Sequence, residues 1–204
     1  MPSINSLLFN ISMSSGITPE VGSLLVAEPF LAEPFFHHGV VLLIDTDEET
    51  DHTTMGVVLN LPIGATLHDA LPDCGRAARD VPLYCGGPLS HDRLYFIHRL
   101  GPLIPDSRLL RDDLYVGGDF EAVMEYIEQG GRVDGMIRFF VGYSGWSRGQ
   151  LDEEISSGVW AVASWKDPRE ILTGSDNAFW HRCVRSLGTH YRGWLYHPRD
   201  LHSN

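Results

Sequence analysis

Apolar residues along this chain fall into short runs punctuated by proline and glycine, the pattern of a strand-rich protein. "GSLLVAEPF" (Gly22–Phe30) predicts a strand stopped by Pro29. "GVVLLIDTD" (Gly39–Asp47) predicts a second. Its apolar positions are continuous rather than alternating, so burial on both faces is expected. "MGVVLNLP" (Met55–Pro62) predicts a third, ended by Pro62, and the polar stretch Asp47–Thr54 is short enough to join the two as a hairpin. "PLYCGGPL" (Pro82–Leu89) reads as a short strand broken at Gly86-Gly87-Pro88. In "DRLYFIH" (Asp92–His98), Leu94, Phe96 and His98 share one face and Tyr95 and Ile97 the other. "LLRDDLYVGG" (Leu109–Gly118), "GMIRFFVGY" (Gly135–Tyr143) and "GVWAVAS" (Gly158–Ser164) predict further strands.

Helical spacing is confined to a few segments. In "ATLHDAL" (Ala65–Leu71), Thr66 and Asp69 have capping-box spacing. "DFEAVMEYIEQGG" (Asp119–Gly131) has Asp119 as cap, an apolar stripe of Phe120, Val123, Met124 and Ile127, and Gly130 as stop. "SDNAFWHRCVRSLG" (Ser175–Gly188) predicts a last helix, capped by Ser175, that turns Phe179, Trp180, Cys183, Val184 and Leu187 inward. Many strands with scattered helices, and no strict strand–helix alternation, predict an α+β fold. No internal repeat, low-complexity segment or linker interrupts it. The expected organisation is a flexible leading segment over 1–20, one domain over 21–188 and a basic, aromatic tail over 189–204.

Length and composition leave this picture in place. At 204 residues, with 43% hydrophobic and 21% charged residues, the chain suits one globular domain. No apolar run reaches the roughly 18–20 residues of a membrane span, so no membrane is expected as a partner. The first residues lack the positive start of a secretory signal. Cys74, Cys85 and Cys183 cannot all pair within one chain, and free thiols suit a reducing, cytoplasmic setting.

Charge changes the picture more. The net charge is −12, and residues 1–75 carry −10 of it. Such a surface repels phosphate backbones and argues against direct nucleic-acid binding by the body. From His181 onward the balance is +3, with Tyr191, Trp194 and Tyr196 interleaved. That tail is expected to dock on the acidic N-terminal half. The alternatives are a partner subunit or single-stranded nucleic acid.

The densest motif is "GYSGWSRGQLDEEISSG" (Gly142–Gly158). Ser147 and Gln150 have capping-box spacing, the acids 152–154 suit the positive end of a helix, and Leu151 and Ile155 give it a buried edge. The glycines before it imply a loop or a close backbone approach. In order and spacing, "GSLLVAEPF", "GVVLLI", "MGVVLNLP", "YCGGPL", "LYFIH" and this motif resemble the YqgE/AlgH family of bacterial proteins, from Gly22 to the last helix. The resemblance implies a single α+β domain, its mixed sheet curled into a pseudo-barrel with a few flanking helices, and a cytoplasmic protein without a settled activity. Some members are labelled transcriptional regulators, but no helix-turn-helix with a basic recognition helix is visible here. Leu61, His37-His38-Gly39 and Glu33 depart from the family pattern, the first two where basic residues are usual.

Candidate chemistry is sparse. No HExxH or HxH occurs among ten histidines, and His37 and His38 on a strand would point apart, so no metal or other cofactor is expected. Cys85, with His91 or His98 as base, reads better as a buried inert thiol than as a nucleophile. Ser144 lacks the G-x-S-x-G context, and no catalytic residue is assigned. The best candidate ligand pocket combines Asn60, Gly86, Gly87, Tyr143, Trp146 and Gln150. Two readings stay open. The first is a non-enzymatic protein that binds a protein partner or a small ligand in a regulatory role. The second is an enzyme of unassigned class with a pocket near the Gly86-Gly87-Pro88 and Gly142–Trp146 segments. The missing acid, base and nucleophile set favours the first.

Overall fold

The computed structural model describes residues 18–46, 54–75 and 77–196. The leading segment expected over 1–20 lies, apart from 18–20, outside the described residues. So do the acidic turn at 47–53 and the end of the tail at 197–204. The fold is α+β, built on one ten-stranded mixed sheet. Its strands are β1 (Leu24–Ala27), β2 (Val40–Thr46), β3 (Thr54–Val58), β4 (Pro62–Thr66), β5 (Pro82–Cys85), β6 (Leu89–His98), β7 (Arg108–Arg111), β8 (Leu114–Val116), β9 (Ile137–Trp146) and β10 (Trp160–Ala163). The order is β10-β1-β2-β3-β9-β6-β8-β7, with β5 pairing β4 and β9 off this path. Among the described residues only the β5–β9 pairing is parallel, and the sheet they form does not close on itself.

The helices are α1 (Leu67–Ala70), α2 (Phe120–Glu128), α3 (Gln150–Ser156), α4 (Pro168–Thr173) and α5 (Asn177–Ser186). Thr66 and Asp69 form the expected capping box on α1, and Asp119 caps α2 through the Glu121 and Ala122 N–H groups. Gly130 and Gly131 close α2 by donating back to Ile127 and Tyr126. Asp176, one residue after the expected Ser175, caps α5. α4 was not singled out by the pattern, although Asp167 followed by Pro168 is a good helix start. "LLRDDLYVGG" is two strands rather than one, because Asp112 takes a left-handed conformation (φ 51°) and folds β7 onto β8.

The continuous apolar run of β2 is buried on both faces, as its pattern requires. Val40, Leu42 and Ile44 pack with α4, α5, Tyr191 and Trp194. Val41 and Leu43 pack on the other side with Trp146, Trp160 and Leu151. Each such side chain contributes about 1.5–3 kcal/mol. A third cluster joins Phe96, Ile137 and Phe139 to Val123 and Ile127 of α2. Residues 189–196 form a 3₁₀ segment that buries Tyr191 and Trp194 among residues of β1 and β2. The contact is aromatic packing: among the described residues no ion pair joins Arg182, Arg185 or Arg192 to an acid.

His37 and His38 lie in a turn, not on a strand, and do not point apart. His38 adopts φ 52°, which brings its ring parallel to that of His37 (4.8 Å) and to Trp180 (4.0 Å). His98 is fully buried. Its Nε2–H donates to the Gly117 carbonyl (3.0 Å) and its Nδ1 accepts from the Leu100 N–H (3.2 Å), so the ring is held neutral. Burial pushes its pKa below the usual 6.5, with the Gly117 bond opposing. Below pH 6.5 the unfolded chain therefore takes up a proton that the folded chain refuses. The stability this ring contributes is complete above that pH and is lost as pH falls through the folded pKa. The slope is at most about 1.4 kcal/mol per pH unit. Urea midpoints measured from neutral to mildly acid pH should show this slope in the parent and not in His98→Leu. Parallel curves would mean that the ring charges freely in place.

Candidate functional site

The six positions expected to build a pocket fall into three groups of contacts. Asn60 follows β3 and is almost fully buried. Its side chain accepts from the Val40 N–H and donates to the His38 carbonyl (both 2.9 Å), tying the start of β2 in place.

Gly86, Gly87 and Tyr143 meet where β9 changes partners. Residues 139–141 of β9 lie between β6 and β5, whereas residues 144–146 pair with β3. The glycine-aromatic motif is thus strand up to Trp146 rather than loop, and Gly142 (φ 71°) makes the bend between the two halves. Gly86 passes so close that a Cβ on it would lie 2.2 Å from the Gly142 carbonyl oxygen. Its amide donates to the Val141 carbonyl, and its own carbonyl accepts from the Val58 N–H and the Ser144 hydroxyl. The Gly87 carbonyl accepts from His91 Nε2 (2.8 Å) and from the Cys85 thiol (3.5 Å). Cys85 is buried, and burial raises its thiol pKa. Tyr143 packs edge-on against Tyr95 (5.6 Å).

Trp146 and Gln150 belong to a third group, centred on Glu154. One oxygen of its carboxylate accepts from the indoles of Trp146 and Trp160 (both 2.7 Å), and the other accepts from the Gln150 amide (2.9 Å). Gln150 also accepts from the Ser147 N–H and hydroxyl. Half of the expected capping box is therefore present, but Gly149 is the N-cap of α3. The helix delivers Glu154 to two buried tryptophans, a role that helix-end electrostatics did not suggest. Glu154→Ala should cost about 2 kcal/mol and Glu154→Gln, which keeps an acceptor, about 1 kcal/mol. Urea unfolding followed by tryptophan fluorescence measures both. Equal losses would show that the acceptor is not what matters.

A different residue stands out for chemistry. Arg138 on β9 is only 3% exposed. Its Nη1 donates to the carbonyls of Leu59 (2.9 Å) and Gly174 (2.7 Å), and its Nη2 donates to that of Leu172 (2.5 Å). Two of these carbonyls belong to the C-terminal end of α4, where the helix dipole favours a cation. The Tyr84 ring lies 4.4 Å from the guanidinium carbon. Among the described residues no carboxylate comes within 4.0 Å of it. Burial pulls its pKa down to about 10, with Tyr84 and Asp134 opposing, so it remains charged at neutral pH. A guanidinium has five N–H donors, and three are used.

Arg138 lines a polar cleft of about 230 Å³ between β5, β9 and the end of α4, together with Tyr84, Asp80, Asp134, Thr173 and Ser175. The larger groove of about 490 Å³ beside β6, β8 and α2 is lined by Leu94, Tyr95, Phe96, Val116 and Phe120, with no charged group among them. None of the six expected pocket positions lines either space. The sequence did hold a signal for Arg138. It is the only charged residue in the strand run "MIRFFV", where charge is tolerated only with a dedicated set of partners.

Comparison with known proteins places the whole arrangement in context. A family model described as AlgH-like matches residues 24–192. A UPF0301 protein of Parabacteroides distasonis is 41% identical over 189 residues, covering 92% of this chain and 93% of its own. A UPF0301 protein of Bacteroides fragilis is 36% identical, covering 96% of each. The solution structure of the AlgH protein from Pseudomonas aeruginosa aligns with a TM-score of 0.66 at 25% identity, over 85% of this chain and 92% of that one. A crystal structure from Corynebacterium diphtheriae aligns with a TM-score of 0.69 at 25% identity, over 94% and 97%.

Proposed function

The chain belongs to the AlgH-like family, and from that premise we propose that it is a non-enzymatic binding protein whose ligand is a small acid held by Arg138. The observation that carries this reading is a buried guanidinium at a polar cleft with no carboxylate partner among the described residues and two N–H donors unspent. A buried charge is costly unless it is paired, and a bound acid supplies the pair. The two free donors suit a carboxylate or a comparable anion.

Binding rather than catalysis is supported by what lines the cleft. Among the described residues no histidine or cysteine does so, and the Thr173 hydroxyl already donates to the Arg169 carbonyl. The Gly86–Gly87 and Trp146–Gln150 segments are not given the ligand role, because their polar groups are bonded within the protein. Direct DNA contact is no part of this reading, since the net charge is −12. No helix among the described residues is long and apolar enough to cross a membrane.

The test is to follow the Arg138 Nε–H signal by NMR while titrating pentanoate and, separately, inorganic phosphate. Saturable movement of that signal with at least one of them is expected. If neither acid moves it at millimolar concentration, the reading fails.

A further inference from the structure

The cleft is lined by one buried cation and two exposed carboxylates, and from this we infer that its ligand is a small zwitterion, an amino acid whose carboxylate meets Arg138 and whose ammonium, at the far end of its chain, lies between Asp134 and Asp80. This rests on the reading of Arg138 as the partner of an acid. The guanidinium sits deep, 3% exposed, whereas the Asp134 side chain is 87% exposed and Asp80 is also exposed. The cation is therefore at the floor and the two carboxylates are at the rim.

That polarity selects among anions. A dianion such as phosphate must pass two carboxylates on a protein of net charge −12, and both repel it. A ligand with an ammonium at its outer end turns the same rim into an attractive contact. Among the described residues the only cation within 4.0 Å of the Asp134 carboxylate is Arg132, at 3.9 Å and itself 70% exposed, so Asp134 keeps capacity for a second partner. Between the poles, Val133, Ile137 and Leu172 offer apolar wall to a short hydrocarbon chain. At about 230 Å³, below the roughly 300–1,000 Å³ of pockets for drug-sized ligands, the cleft suits a small molecule. 5-Aminopentanoate is such a molecule and carries its two charges at opposite ends of its methylene chain, whereas norvaline, with as many non-hydrogen atoms, carries both on one carbon. Ser175, whose hydroxyl has no partner among the described residues, lines the same space and can add a bond to either pole.

The experiment compares norvaline and 5-aminopentanoate with pentanoate, pentylamine and phosphate, by calorimetry and by the Arg138 Nε–H signal. 5-Aminopentanoate should bind about fivefold or more tighter than pentanoate and than norvaline. The paired change Asp80→Asn and Asp134→Asn should reduce that preference to about onefold while pentanoate still binds. Both acids are exposed, so these variants should keep the parent's unfolding midpoint, which is checked alongside. Binding of 5-aminopentanoate no tighter than that of pentanoate or norvaline, or tightest binding of phosphate, overturns the spanning zwitterion and leaves the acid site standing. Binding of pentylamine alone, or no movement of the Arg138 signal with any compound, overturns both readings.

Discussion

Gly86→Ala is expected to leave no cooperatively folded protein. The added Cβ would stand 2.2 Å from the Gly142 carbonyl oxygen and 3.1 Å from its carbon, with Val57 at 3.2 Å on another side. The near atoms are backbone of β9, and β9 is held by β3, β5 and β6. It cannot retreat without breaking ladders on either flank. Overpacking against a yielding side chain costs about 1–3 kcal/mol. Here the obstacle is the central strand, so a loss above about 4 kcal/mol is expected, a large part of the about 5–15 kcal/mol that holds a domain together. Gly193→Ala is the control. Nothing lies within 4 Å of a Cβ there, and its midpoint should be unchanged or slightly raised. Near-ultraviolet circular dichroism and urea titration of both variants decide the matter. A parent-like midpoint for Gly86→Ala would mean that the two strands do not approach as described.

Arg138→Met is expected to cost about 4 kcal/mol. Methionine fills much of the volume but leaves the carbonyls of Leu59, Leu172 and Gly174 without the arginine's donors. It also removes the cation at the end of α4 and the stack on Tyr84. Relief from burying a charge offsets part of the loss. Arg138→Lys keeps the charge but not the planar fork, so it should recover about half. Urea unfolding of the three proteins measures this ladder. A loss below about 1 kcal/mol for methionine would mean that water entering the cleft replaces the guanidinium at all three carbonyls. The ligand tests avoid Arg138 substitutions for this reason and vary the two rim acids instead.

Both effects arise at positions whose identity was visible in the sequence and whose reason was not. Gly86-Gly87 was read as a turn, and the glycine-aromatic motif as a loop or a close backbone approach. They are two lengths of backbone pressed together where β9 passes from one set of partners to another. A glycine needed for close approach looks, in one dimension, like a glycine needed to turn. Glu154 was read with its neighbours as a helix-start acid. Its two tryptophan donors lie eight residues before it and six after it, and only α3 packing beside β10 brings them to one oxygen.

What the sequence determined by itself was local. The two-faced burial of β2, the caps at Thr66 and Asp119, the inward stripe of α5 and the α+β class follow from periodicity and capping chemistry. These signals act over at most a few residues, so they survive being read along a line. Tertiary structure alone decided which groups from distant segments share a space. Arg138 is joined to carbonyls 79, 36 and 34 residues away along the chain, beside a tyrosine from β5, an acid from the 3₁₀ turn Ala77–Asp80 and an acid from the turn before β9. No propensity encodes such meetings. A charge can be buried only where the whole fold assembles acceptors around it, and so the candidate site appeared only once the strands had their order.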